Sequence, residues 1–158
     1  MLELGAGPGA ATAELRRLAD RVTSLEYDRT FAAGLHTRAG LERAHIVQGD
    51  AAALPFSDNT FSSVIAVLVL HHLISKEKQD QTFAEVRRVL RPGGIFLTFE
   101  IPDSWLNRAI HLHSTFVPVD AASVSARFEA AGFASVAVKC RRGGMRIRAL
   151  RSPKAESR

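Results

Sequence analysis

Apolar residues fall along this chain in two alternating rhythms. Short unbroken apolar runs suit strands buried in a parallel sheet. Stretches with an apolar residue every three or four positions suit helices that pack one face. The runs are Leu2 to Leu4, Val22 to Glu26, Ala44 to Gln48, Ser63 to Leu70 and Ile95 to Glu100. Between them the helical rhythm predicts helices over about 9–19, 29–39 and 76–90. The last is marked by Phe83, Val86 and Leu90 and closed by Pro92-Gly93-Gly94. Strand alternating with helix predicts an α/β fold with a mostly parallel sheet. Ser63 to Leu70, rich in β-branched residues, reads as a strand buried on both faces.

The C-terminal third departs from this rhythm. Residues 102–119 are irregular, and Trp105, Leu106, Ile110 and Leu112 suggest a short helix or lid. Asp120 suits the N-cap of a helix from Ala121 to Ala131, which Gly132 closes. Ala134 to Arg141 and Met145 to Arg151 are joined across Arg142-Gly143-Gly144. So short a turn predicts antiparallel neighbours, because parallel ones need a crossover of about a dozen residues or more. The expectation is a seven-stranded sheet ending in an antiparallel hairpin, with one hairpin strand beside Ile95 to Glu100. No repeat or linker divides the chain, so residues 1–151 read as one domain and 152–158 as a disordered basic tail.

Composition matters mainly at that end. The 158 residues are 46% hydrophobic and 23% charged, an ordinary globular balance. The formal charge of +5 is concentrated late in the chain: Lys139, Arg141, Arg142, Arg146, Arg148, Arg151, Lys154 and Arg158 stand against Glu156 alone. No aromatic residue is interleaved with those arginines for base stacking, so they read as a solvated edge hairpin and a nucleic-acid partner is not expected. No apolar run is long enough to span a membrane. The lone Cys140 forms no internal disulfide and reads as a small strand filler. With no signal-like segment before the first strand, a cytoplasmic location is expected.

The chemistry concentrates where strands end. Gly5-Ala6-Gly7-Pro8-Gly9 turns the first strand into the first helix. Such a turn lets backbone approach a ligand closely, beside the helix N-terminus. Acids follow at two later strand ends, Glu26 and Asp50. A nucleoside needs acceptors for its ribose hydroxyls and base amine, so the set reads as a nucleoside-cofactor site. Gly5-x-Gly7-x-x-Ala10 with Glu26 also satisfies a dinucleotide fingerprint. Three features turn away from that reading. Glu3 puts a charge inside the first strand, which a positively charged ligand group would explain. Pro8 stiffens the turn, and Gly9 makes the spacing G-x-G-x-G. The chain is also short for two mononucleotide halves plus a substrate domain.

Met1 to Gly9 resembles the first motif of class I S-adenosylmethionine (SAM)-dependent methyltransferases. Gly49-Asp50-Ala51-Ala52-Ala53-Leu54-Pro55-Phe56 with Asp58-Asn59-Thr60-Phe61 resembles their third motif and the loop into strand four. Leu70-His71-His72-Leu73 and Glu85 to Gly94 are similar to the segments that follow. The ordered set covers about residues 1–100 and is most similar to the type 11 group, which implies a Rossmann-like sheet and SAM as cofactor. The resemblance implies that Gly5, Ala6, Gly7 and Gly9 pack against the methionine part and ribose, with Glu3 near the ammonium group. It implies that Glu26 takes both ribose hydroxyls, with Tyr27 next to it. Asp50 would take the adenine amine, with the Ala51 N–H at the ring and Val67 backbone completing the methionine site.

Methyl transfer needs a base only where the acceptor must lose a proton. His71 and His72, at the end of strand four, are the candidate catalytic residues. Trp105, Leu106 and His111 are candidate acceptor contacts, and no metal site is expected from His111 and His113. DNA amino-methyltransferases carry Asn/Asp-Pro-Pro-aromatic at the end of strand four, where this chain reads Leu68-Val69-Leu70-His71-His72. A small, partly apolar methyl acceptor is therefore expected. Members of this type usually have one or two helices before the first strand, which this sequence lacks. The resemblance thus implies an open site, closed by residues 102–119 or by another subunit of a homo-oligomer. The second reading is a truncated or degenerate domain that binds SAM as a partner subunit without turnover.

Overall fold

The computed structural model describes residues 1–38, 44–110, 112, 115–141 and 143–153. Seven strands form one sheet: β1 (Leu2–Leu4), β2 (Thr23–Glu26), β3 (His45–Gln48), β4 (Phe61–Val67), β5 (Leu90–Glu100), β6 (Ser135–Arg141) and β7 (Gly144–Leu150). The helices are α1 (Ala10–Leu18), α2 (Arg29–Thr37), α3 (Lys76–Val89), α4 (Trp105–Ile110) and α5 (Val124–Ala130). Strand order is β3-β2-β1-β4-β5-β7-β6. The first five strands are parallel. The C-terminal hairpin is antiparallel and enters the sheet through β7 beside β5, as its short turn predicts. Arg142 of that turn, and residues 154–158 of the expected tail, lie outside the described residues.

The two faces of the sheet are packed differently. On one, Leu2, Leu4, Val64, Ala66, Phe96 and Ile147 meet α3 and α5 in the main core. Phe83 of α3 stacks on Phe128 of α5 with ring centroids 4.1 Å apart. On the other, α1 and α2 cover only β1 to β3, where Ala6, Ala32, Leu35 and Ile46 form a small second cluster. β4 is therefore not buried on both faces, contrary to the sequence expectation. Val64 and Ala66 are fully buried, whereas Ile65 is half-buried and Val67 exposed.

Several boundaries also move. β4 stops at Val67, because Leu68 takes a left-handed conformation (φ 59°) and Leu70–His72 form a 3₁₀ turn. The histidines thus sit on that turn rather than on the strand. α3 ends at Val89, ahead of Pro92-Gly93-Gly94 as expected, but β5 starts at once at Leu90, so those three residues lie inside the strand, at a register shift between Phe61 and Ser63 of β4. A bulge is where a strand tolerates proline, because the ladder is already interrupted. Asp120 accepts from the N–H groups of Ala122 and Ser123, so it closes a turn, and the helix begins at Val124. Asp28 caps α2 through the N–H groups of Thr30 and Phe31.

Candidate cofactor site and acceptor side

Parallel register brings the loops after β1, β2 and β3 to one edge of the sheet, beside the end of β4. The glycine turn hangs on β2 through Gly5 N–H to Leu25 O at 2.8 Å. Gly5, Gly7 and Gly9 all have positive φ (66°, 50° and 85°). At Gly5 a Cβ would meet Val69 Cγ2 at 2.6 Å, so glycine lets the turn rest on the segment after β4. At Gly7 a Cβ would meet nothing within 4 Å, so only φ demands glycine there and the turn's outer side is open. Gly9 caps α1 without a side chain, and the Arg38 guanidinium holds the turn by donating to Pro8 O.

Two carboxylates border this turn, Glu3 and Glu26, and a third, Asp50, follows β3. Glu3, 2% exposed, has one oxygen held by the hydroxyls of Thr12 (2.7 Å) and Ser24 (2.6 Å). Its other oxygen, Oε1, is buried with no hydrogen-bond partner. Burial raises the Glu3 carboxyl above its ordinary value; the two hydroxyls oppose that rise and the nearby Glu26 charge adds to it. Glu26 is also buried. It accepts the Gly7 N–H at 2.7 Å on one oxygen and the Asp28 N–H at 2.8 Å on the other. Each oxygen keeps a lone pair to spare. Asp50, partly exposed, accepts the Ala52 N–H at 2.8 Å and lies 3.9 Å from Lys78 Nζ. Ala51 is buried beside it, and Tyr27 is exposed next to Glu26.

A family profile described as "Methyltransferase domain" matches residues 2–98, more than half of the chain. The chain belongs to the class I SAM-dependent methyltransferases. A probable S-adenosylmethionine-dependent methyltransferase of Mycolicibacterium smegmatis is 39% identical over 97 residues, 61% of this chain and 36% of that protein. The sterol 24-C-methyltransferase ERG6B of Gibberella zeae is 34% identical over 70% of this chain and 29% of its own length. A probable tRNA methyltransferase 9B of Bos taurus is 27% identical over 78% and 27%. The chain thus spans roughly a third of these relatives. A solved SAM-dependent methyltransferase from Methanosarcina mazei shares the fold, with a TM-score of 0.76 at 20% identity over 97% of this chain and 92% of that one.

The chemistry of the residues around the glycine turn is compatible with SAM. A buried carboxylate oxygen with no partner is costly unless a ligand group meets it. A cationic ammonium is the chemistry Glu3 Oε1 lacks. Glu26, anchored by two backbone N–H groups, presents its remaining lone pairs in fixed directions, as a vicinal diol requires.

The acceptor side differs from the sequence expectation in detail. His71 is buried, and its Nδ1 lies 2.6 Å from Glu100 Oε2. Glu100, fully buried, also takes the N–H groups of Val69 (3.1 Å) and Leu70 (2.9 Å) on Oε1. A carboxylate only accepts, so the Nδ1 of His71 carries the proton in this pair. His71 also packs against Phe116, with centroids 5.5 Å apart. His72 is exposed, with Nδ1 3.3 Å from Thr115 O. Trp105 (80% exposed), Leu106, Ile110 and Leu112 stand out in solvent, and no residue of α4 is buried. His111 and His113 lie outside the described residues. Among the described residues no cluster of His, Cys, Asp or Glu is arranged to hold a metal ion.

Two positioning groups escaped the sequence reading. Glu100 is one; its signal was an acid closing an apolar strand. Arg88 is the other. Its five N–H donors reach Glu85 twice, Asp58, Phe56 O and Leu54 O at 2.7–3.0 Å, pinning the loop that follows Asp50. Its only trace in sequence was its place in the Glu85 to Gly94 segment.

Proposed function

We propose that this domain transfers a methyl group from SAM to a small, partly apolar acceptor. The observation that carries the reading is the unpartnered Glu3 Oε1 beside an open glycine turn that Glu26 holds through the Gly7 N–H. When bound, SAM supplies the electrophilic methyl group; the protein's part is binding, alignment and exclusion of water. Glu3 would hold the ammonium, Gly5 to Gly9 the methionine and ribose, Glu26 the ribose hydroxyls and Asp50 the adenine amine. Tyr27, Ala51 and Val67 would border the bound group.

For an acceptor that must lose a proton, His72 is the exposed base and His71 the buried one that Glu100 orients. The apolar side chains of α4 support a partly apolar acceptor. The names of the sterol and tRNA relatives span both acceptor classes, and the small-molecule reading rests on α4. The second reading, a SAM-binding subunit without turnover, is favoured by the same side chains, which stand unfolded from the site. Calorimetric titration with SAM, S-adenosylhomocysteine and NAD tests the cofactor, and NAD binding in place of the adenosyl ligands overturns both readings. Release of S-adenosylhomocysteine with sterol, fatty-acid and phenolic acceptors then separates turnover from binding alone.

A further inference from the structure

Two hydroxyls are buried where the fold calls for apolar side chains. Thr12 shares the inward face of α1 with Leu15, and Ser24 lies inside β2; both are fully buried. A buried hydroxyl destabilises a fold unless it is hydrogen-bonded. Both donate to one atom, Oε2 of Glu3, at 2.7 Å from Thr12 and 2.6 Å from Ser24. Valine or alanine would pack at these positions without a polar group, so packing alone does not account for the pair.

The cradle is one-sided. A carboxylate oxygen has two lone pairs, and the two donors, from α1 and β2, occupy both on Oε2. Coming from different elements, they fix the plane of the carboxyl group and leave Oε1 to face elsewhere. A proton on Oε2 would displace one donor. A proton on Oε1 would itself lack an acceptor, because that atom is buried without a partner. The surroundings therefore suit the ionised group with a cation at Oε1. Burial, and then the charge of Glu26 at the end of β2, push Glu3 toward its neutral form; the Ser24 and Thr12 hydroxyls oppose them. On the side of β4 the residue in register with Glu3 is apolar Ile65.

We infer that Thr12 and Ser24 are positioning residues for the cofactor's ammonium group, holding Glu3 ionised and aiming its Oε1 at the cation. This role rests on Glu3 as the ammonium's partner, the reading proposed above, and adds what sets that partner's charge and direction. Both hydroxyls act through Glu3 rather than on the ligand. A neutral carboxyl offers the cation a dipole in place of a charge, so affinity depends on the two hydroxyls at second hand. The consequence is a pH dependence of binding with a definite sign. A bound cation favours the ionised carboxylate, so affinity for an ammonium ligand falls as pH drops through the folded pKa of Glu3. Removing a hydroxyl raises that pKa and moves the fall to higher pH.

The test is calorimetric titration from pH 4 to 8 with S-adenosylhomocysteine and with the same thioether lacking its α-amino group. Glu26 and Asp50 would meet both ligands alike, so their own titration cancels in the ratio of affinities. Wild type should prefer S-adenosylhomocysteine about tenfold at neutral pH and lose that preference in acid. T12V and S24A should lose it at a higher pH than wild type, and T12S should restore the wild-type midpoint. Between the two midpoints the variants should show little preference while wild type keeps its own. Carbon NMR of the Glu3 carboxyl, assigned through Glu3→Gln, should give the same order of midpoints without ligand. Thermal unfolding confirms that each variant folds, and S24A carries the test if T12V does not. Variants that bind both ligands more weakly by the same factor at every pH, with the midpoint unmoved, overturn the proposal and leave the hydroxyls a packing role. Equal affinity of wild type for the two ligands would instead take the ammonium away from Glu3, and the role of the hydroxyls would fall with that reading.

Discussion

At the scale of single residues, the role proposed for Glu3 would set cofactor affinity against stability. Its carboxyl is held above the ordinary value of 4.5, chiefly by burial. Between 4.5 and that raised value the folded protein binds more protons than the unfolded chain, so stability without cofactor falls as pH rises through this window. Below 4.5 the group is neutral in both states and the penalty is absent. Glu3→Gln should therefore flatten this part of the pH–stability curve and raise the melting temperature at neutral pH, while weakening S-adenosylhomocysteine about tenfold. Thermal unfolding of both proteins from pH 4 to 8 checks it; a mutant curve parallel to the wild type's would remove Glu3 as the titrating group. Glu26→Ala should weaken S-adenosylhomocysteine by roughly 1.5–3 kcal/mol and also lower the melting temperature, because it removes the acceptor of the Gly7 and Asp28 N–H groups. Calorimetry showing unchanged affinity would reject the assignment to the ribose.

At the scale of elements, loops were harder to read than strands, for a physical reason. The parallel strands announce themselves by apolar runs, and Asp28 as the α2 cap follows from local chemistry. The end of β4 does not, because what stops the strand is remote: Glu100, more than thirty residues on in the chain from Leu68, takes the N–H groups of Val69 and Leu70. The start of β5 is similarly set by a register shift against β4 that no local rule encodes. Arg88 works in the same non-local way. Its guanidinium is held above the usual arginine range by Glu85 and Asp58, and every donor is engaged. Lysine presents no planar fork, so Arg88→Lys should cost about 1–3 kcal/mol and speed hydrogen exchange in residues 50–58. Exchange there unchanged would detach Arg88 from the Asp50 loop. α4 offers a simpler readout, since Trp105 is the sole tryptophan and is 80% exposed. Its emission should lie near that of a solvated indole and shift to the blue when an acceptor binds with S-adenosylhomocysteine. Emission already blue-shifted without ligand would mean that α4 is docked and not a lid.

At the scale of the whole molecule, packing is lopsided, and the proposed cofactor contacts lie at the weaker end. The strongest core joins α3 and α5 to the centre of the sheet through Phe83, Phe96, Phe128 and Phe133. At the far edge, α2 and β3 rest on Ala32, Leu35 and Ile46, with Ala6 from the glycine turn. The loops leading into α2 and out of β3 carry Tyr27 and Asp50. Elements with few buried apolar neighbours open at lower free energy than the core, and ligand sites are commonly drawn from them. α2 and β3 should therefore exchange amide hydrogens well before α3 and β5 when no ligand is present. S-adenosylhomocysteine at about 100 times its Kd should add roughly 2.7 kcal/mol to global stability. Its local effect should be larger at the edge, because on the proposed reading the ligand would tie the end of β2 to the end of β3 through Glu26 and Asp50. Native-state hydrogen exchange with and without the ligand measures both effects. If α2 and β3 were as protected as α3 before ligand is added, the opening of this edge would not be coupled to the cofactor, and Glu26 and Asp50 would be holding a rigid frame already built by the main core.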